Sequence, residues 1–223
     1  LKEANQIESI ELEGLYSHFA TADEGDLSYA NSQLSKFNEV VKIAKKLDIY
    51  PTFIHCSNSG AILNVKESRF NMVRAGMLLY GAFPSDEVPQ ELPIKPVMTF
   101  TAPVVEIRDV KAGTHISYGG VYTTKSDTRI AVVQAGFADG VPRPWYIDGF
   151  VKFKDQNFKI TGRICMDQLM IDIGSADIQY GDEVLIFGSN EHGSIDINHI
   201  AKKIDSTSYV LVTSIGIRPK RVY

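Results

Sequence analysis

Apolar residues follow two rhythms along this chain. Leu34, Phe37, Val40, Val41, Ala44 and Leu47 recur three or four positions apart, which predicts a helix over Ser28–Leu47. Asp26 stands where an N-cap is needed, and Lys42, Lys45 and Lys46 lie in the last turns, where cations suit the helix dipole. Pro51 is the expected stop. On either side come short apolar runs bounded by turn residues. Gly14–Ala20, Thr52–Cys56 and Phe70–Arg74 each read as a strand. Ser57, Asn58, Ser59 and Gly60 form a polar turn into a short helix over Ala61–Asn64. Strand, helix, strand, helix, strand is the order of a parallel sheet with covering helices.

Pro84, Pro89, Pro93 and Pro96 then punctuate the chain and set a domain boundary near residue 90, dividing it into 1–90 and 91–223. Beyond them the pattern becomes β. Val97–Val110, Arg129–Ala135, Gly149–Lys154, Phe158–Ile164, Leu169–Ile173 and Glu183–Phe187 read as short strands between Gly, Asp and Asn turns. One helix, Asp196–Ile204, has Ile197, Ile200, Ala201 and Ile204 on a face. Such spacing fits a small barrel or sandwich. The fold class is therefore α/β followed by an all-β domain. The first domain supplies only about three strands, whereas a closed (β/α) barrel takes eight. It is either a small open sheet or the last strands of such a barrel.

Composition narrows the function. The net charge is −4 and no basic stripe is visible, which argues against a nucleic-acid partner. No apolar run approaches the length of a membrane span, and the first residues are not a secretory signal. The sequence opens on Leu1 rather than Met, an expectation that something upstream is missing. Cys56 and Cys165 lie far apart with no CxxC, so free thiols in a reducing, cytoplasmic setting are expected rather than a disulfide or a zinc site. GxSxG, HExxH, P-loop and GxGxxG motifs do not occur, which removes support for a serine hydrolase, a zinc enzyme or an NTPase.

Six positions could carry chemistry. Arg74 is the single charge in the apolar run Phe70–Gly81 (FNMVRAGMLLYG); it is either half of a structural ion pair or aimed at a ligand acceptor, with Gly76 letting the backbone come close. His18, at the end of the first strand, is a satisfied core histidine or a site residue. Ser59 is a helix cap or part of an anion site, where free amides and the dipole favour phosphate. Tyr118, in a Gly-containing loop, is a surface aromatic or an acid/base; a phenol of pKa ~10 acts as a base near neutrality only beside cations. Met166 and Asp167 close a strand, as a core Met and a turn Asp or as site residues. The loop Gln134–Gly140 could border a pocket.

Taken together and in order, HFATADE (18–24), HCSNS (55–59), FNMVRAGMLLYG (70–81), SYGGVYT (117–123), GFADG (136–140) and GRICMDQ (162–168) resemble the alanine racemases. The resemblance spans nearly the whole chain. It implies a fold-type III enzyme that uses pyridoxal 5′-phosphate (PLP), with an N-terminal (β/α)8 TIM-type barrel, a C-terminal β domain and a head-to-tail homodimer with shared sites. By that resemblance Arg74 faces the pyridine nitrogen of PLP and keeps it unprotonated, because guanidinium does not give up its proton. Ser59 and the amides of Gly76 and Met77 hold the phosphate. His18 hydrogen-bonds Tyr118, which reaches over from the other subunit as the base for L-alanine. Met166 gives its N–H to the substrate carboxylate, and Asp167 lines the entrance. No metal is implied.

Three departures stand beside the resemblance. Phe137 occupies a position that is often tyrosine near the substrate entrance. Ile217, ahead of Arg218-Pro219-Lys220-Arg221, replaces a tyrosine that donates to the phosphate in some members. The family's cofactor lysine sits in a Lys-Ala-(Asn/Asp)-Ala-Tyr-Gly-His-Gly motif, which does not occur here. The resemblance thus covers the C-terminal portion of an alanine racemase, a part expected to be inactive alone. Its parent would supply D-alanine for peptidoglycan. The alternatives are a serine racemase of the same fold and a non-catalytic dimerisation module.

Overall fold

Ala30, Leu34, Phe37, Val41 and Ala44 bury one stripe of a helix, α1 (Ser28–Lys46). This holds in a computed structural model that describes residues 1–223, in two units, Leu1–Lys95 and Pro96–Tyr223. The helix starts as expected, but Asp26 acts one position ahead of the cap. Its Oδ1 accepts the N–H of Ser28 at 2.9 Å, while Leu27 is the boundary residue. Pro51 does not end the helix. Asp48 turns left-handed (φ 56°), its N–H reaches Lys45 O and that of Ile49 reaches Ala44 O, a Schellman closure completed before the proline.

In the first unit β1 (Gly14–Tyr16) and β2 (Phe53–His55) pair in parallel, with Gly14 opposite Phe53 and Tyr16 opposite His55. Helix α1 is the crossover between them, as parallel strands require. It packs Phe37 and Val41 into a core with Phe19, Ala22, Cys56, Ala61 and Val65. A second helix, α2 (Ser59–Asn64), follows β2.

The strand expected at Phe70–Arg74 is absent. Phe70 sits at φ 41°, outside the β region. The side chain of Asn71 takes the hydrogen bonds a third strand would make with the edge of β2. Its Oδ1 accepts from Ile54 N at 2.8 Å, and its Nδ2 donates to Thr52 O at 2.7 Å. The segment then runs past with one backbone bond, Arg74 N–H to Ser57 O at 3.0 Å, and enters a 3₁₀ turn at Met77–Tyr80. An amide side chain has replaced a strand, so the unit has two strands rather than three.

The second unit is β-rich. Its strands are β3 (Phe100–Val110), β4 (His115–Ile116), β5 (Tyr122–Thr123), β6 (Thr128–Val133), β7 (Phe150–Phe153), β8 (Gln156–Lys159), β9 (Leu169–Asp172), β10 (Glu183–Asn190) and β11 (Gly193–Ile195). One antiparallel sheet runs β8-β7-β10-β3-β6-β9, with β11 on β10. A bridge between Ile160 and Ile171 links its two ends. Val104, Val133, Val151, Leu169, Ile171, Val184 and Leu185 are its fully buried interior. Strand β8 stops at Lys159, short of the expected Ile164; Ile160 and Thr161 bond instead towards β9, and the chain then turns left-handed at Gly162 (φ 79°). That turn directs the segment after Arg163 away from the sheet. Helices α3 (Ile197–Lys203) and α4 (Ser208–Ser214) complete the unit. No helix of the chain is long and apolar enough to cross a membrane.

Candidate active site

In the first unit the chemistry gathers just beyond the ends of β1 and β2. Arg74 is half-buried and pairs with no carboxylate, contrary to the ion-pair reading. Its Nη1 donates to His55 Nδ1 at 2.5 Å and lies 3.4 Å from His55 O, and its Nη2 donates to Ser17 O at 2.8 Å and to His18 Nδ1 at 3.1 Å. The guanidinium also lies 5.7 Å from the centre of the Tyr16 ring, which stacks on His55. Burial, and then the Arg74 charge, hold His55 below the usual histidine range, which suits a ring nitrogen that accepts. A guanidinium among neutral acceptors keeps its full charge and a fixed direction.

His18 is exposed rather than a core histidine. With Nδ1 accepting from Arg74, a neutral ring carries its proton on Nε2. The nearest group to Nε2 is the Asn58 amide nitrogen at 3.4 Å. That amide is oriented by its Oδ1, which accepts the Ala61 N–H at 3.0 Å as the N-cap of α2. Two donors therefore face each other, and the His18 Nε2–H is left for an acceptor outside this network. Asn58, not Ser59, is the cap. Ser59 is buried at the first helical position, and its hydroxyl accepts the Gly76 N–H at 2.9 Å. Met77, buried at 1 %, begins the next turn. The Ser59 O–H is thus left to donate beside the main chain of Gly76 and Met77, and the Gly76 N–H, spent on Ser59 Oγ here, would have to turn to serve an anion. The Cys56 thiol is pushed up to about 11 by burial, against an opposing pull from Arg74.

In the second unit Ser117, Tyr118, Cys165, Met166, Asp167 and Gln168 line an open cleft of about 570 Å³. Tyr118 is 70 % exposed and Met166 56 %, so the core reading of Met166 is set aside. The main chain of 165–168 is locked from below. Phe137 N–H and Ala138 N–H donate to Cys165 O and Met166 O at 3.0 Å each, and Cys165 N–H reaches Gln168 O at 2.9 Å. Gly136 permits this approach, since a Cβ there would stand 2.2 Å from Met166 O. The Met166 N–H has no acceptor in the chain and points to the role of an open donor. Asp167 is tied to Arg218 at 2.6 Å, whose Nε lies 3.2 Å from Asp139. The hydrogen bond that Arg218 donates to Asp167 is the main reason the Arg218 pKa is raised. Asp139 in turn accepts the Gly136 N–H at 2.9 Å, so one arginine fastens both loops.

The model of the alanine racemase C-terminal domain matches residues 97–223, more than half of the chain, and that of the N-terminal domain matches residues 1–84. The chain belongs to the alanine racemase family. It is 39% identical, over its whole length, to alanine racemase 2 of Caldanaerobacter subterraneus subsp. tengcongensis, and covers 58% of that protein. Among solved structures it resembles the alanine racemase of Clostridium difficile 630 in complex with cycloserine. The TM-score is 0.90 at 38% identity, over 97% of this chain and 57% of that one. It also resembles the enzyme of Bartonella henselae with covalently bound pyridoxal phosphate, at TM-score 0.85 and 28% identity, over 97% and 58% of the two chains. The chain thus spans somewhat more than half the length of the alanine racemases it matches.

Within this alanine racemase chain, sequence reasoning missed His55, Tyr16, Asn58, Asp139 and Arg218. His55 and Asn58 were visible in HCSNS, but their task is to orient Arg74 and α2, and only the fold brings those together. Phe137 is 42 % exposed and Ile217 97 % exposed, so neither departure from the racemase pattern is a core residue.

Proposed function

We propose that the protein carrying this chain interconverts L- and D-alanine with PLP, supplying D-alanine for peptidoglycan. The observation that carries the reading is Arg74, a guanidinium bonded to two imidazoles and a carbonyl and to no acid. Such a group can face a ring nitrogen and leave it unprotonated. The donor set beside it fits the rest of the cofactor. The Ser59 hydroxyl and the Met77 amide would take the phosphate, joined by the Gly76 amide once it leaves the Ser59 Oγ that it now meets. When bound, PLP supplies the electron withdrawal that makes an α-proton acidic.

The remaining roles belong to this chain's own side chains. Tyr118 holds the proton removed from L-alanine. His18 Nε2–H donates to the Tyr118 oxygen. The open Met166 N–H binds the substrate carboxylate, and Asp167 borders the entrance. Residues 1–84 would be the last strands and helices of a (β/α)8 barrel, with the β domain after them. In a head-to-tail homodimer Tyr118 and Met166 of one subunit complete the site built on Arg74 of the other. A cytoplasmic location suits two free thiols.

The test is direct. Purified, PLP-loaded protein given L-alanine should produce D-alanine until the two are equal, read with an oxidase specific for D-amino acids, and L-serine should turn over far more slowly. No D-alanine, or a preference for L-serine, contradicts the reading.

A further inference from the structure

Ser117 has a backbone conformation that a serine rarely adopts: φ 62° and ψ −178°. That region is essentially reserved for glycine, because Cβ crowds the neighbouring backbone there. A strained side chain is kept only where its surroundings over-determine it. Here they do. The Ser117 hydroxyl donates to Arg163 O at 2.6 Å and lies 3.6 Å from the Cys165 Sγ. The next residue is Tyr118. The Arg163 guanidinium lies over the loop at Gly119, 3.0 Å from where a Cβ would be. Gly162 completes the contact from below, since a Cβ on it would stand 2.6 Å from Ile116 O and 2.7 Å from the Ser117 Cβ. The loop that carries Tyr118 is thus pressed on the segment that, three residues later, presents the Met166 N–H. Strands β4 and β5 close the loop on either side, and between them its one main-chain bond is Gly120 N–H to Ser117 O at 3.2 Å.

We propose that Ser117 is the positioning residue of the reaction: its hydroxyl clamps the Tyr118 loop to Arg163 O and so fixes the phenol relative to the Met166 N–H. The proposal rests on the reading of Tyr118 as the base for L-alanine. Glycine would relieve the strain at this position, yet it lacks the hydroxyl. Stability and activity should therefore part company here.

The experiment compares Ser117→Gly, Ser117→Ala and Tyr118→Phe with the wild type in the PLP-loaded enzyme. Three quantities are read: the thermal midpoint, racemisation with α-proton exchange in D₂O, and deuterium uptake by the amides of 117–123. Ser117→Gly should melt at or above Ser117→Ala, because both lose the bond and only alanine keeps the strain. Both variants should lose on the order of 10- to 100-fold in kcat, with KM for alanine changed less than about threefold, as expected of a misplaced reacting group. Exchange of the L-alanine α-proton should fall more than that of D-alanine, and 117–123 should take up deuterium faster. If activity instead follows the midpoint, with Ser117→Gly near wild type while Tyr118→Phe is dead, Ser117 positions nothing and the Tyr118 reading stands. If Tyr118→Phe is itself active, the reading fails and the proposal goes with it.

Discussion

Tyr118→Phe should stop racemisation in both directions while leaving exchange of the D-alanine α-proton partly intact. Racemisation needs a proton taken from one face and another returned to the opposite face. Tyr118 is the candidate on the L-alanine side. It lies with Met166 in an open cleft and is 70 % exposed, which leaves its oxygen open to the roles proposed for it. In the proposed reaction the family's cofactor lysine would serve the other face. Removing one oxygen atom should lower turnover by roughly 100- to 10,000-fold, the usual worth of a positioned acid/base. In D₂O, loss of the α-proton NMR signal should collapse for L-alanine and continue for D-alanine. Equal wash-out of the two enantiomers at the wild-type rate would refute the assignment.

Arg74→Glu should change what the enzyme makes as well as how fast. A carboxylate facing the ring nitrogen favours its protonated form, which makes the cofactor a stronger electron sink and loosens control over where the proton returns. The same change acts on the flanking imidazoles. Burial and then the Arg74 charge now hold His55 low. Replacing a positive neighbour with a negative one raises its pKa. Pyruvate, left behind if the alanine amino group passes to PLP, should then appear up to the amount of PLP present, read with lactate dehydrogenase, while racemisation falls by at least about 100-fold. Arg74→Ala is the control: it loses the bonds to Ser17 O and both histidines without reversing the charge, so it should slow racemisation with far less pyruvate. Arg74→Glu that forms no pyruvate would show that Arg74 does not face the ring.

What the sequence disclosed follows from how local each feature is. Helix α1 was legible because its buried residues sit three and four apart and depend on nothing else. The stretch at Phe70–Arg74 was not, because apolar composition cannot reveal that the Asn71 amide takes the ladder bonds of β2. Helix α4 was missed for a related reason. SYVLVTS is rich in β-branched residues, poor helix formers, and its helix is held by burying Leu211 and Ser208. At the candidate site, single residues in distinctive loops could be proposed from the sequence: Arg74, Ser59, Tyr118 and Met166. Their supports could not. His55 lies nineteen residues from Arg74, and Arg163 meets the Ser117 hydroxyl across forty-six. Such partners have no spacing to recognise, only a fold that brings them together.

The central claim is that Tyr118 of one subunit works on a cofactor faced by Arg74 of the other. Mixing the Arg74→Ala and Tyr118→Phe enzymes, each impaired alone, tests it within these residues. In a mixed dimer one site would carry both lesions and the other neither. After subunit exchange, shown by native mass spectrometry, random pairing makes about half the dimers mixed, with one sound site in each. The mixture should therefore recover about a quarter of wild-type activity. If mixed dimers form and the activity stays at the level of the single variants, the site is not shared in this way.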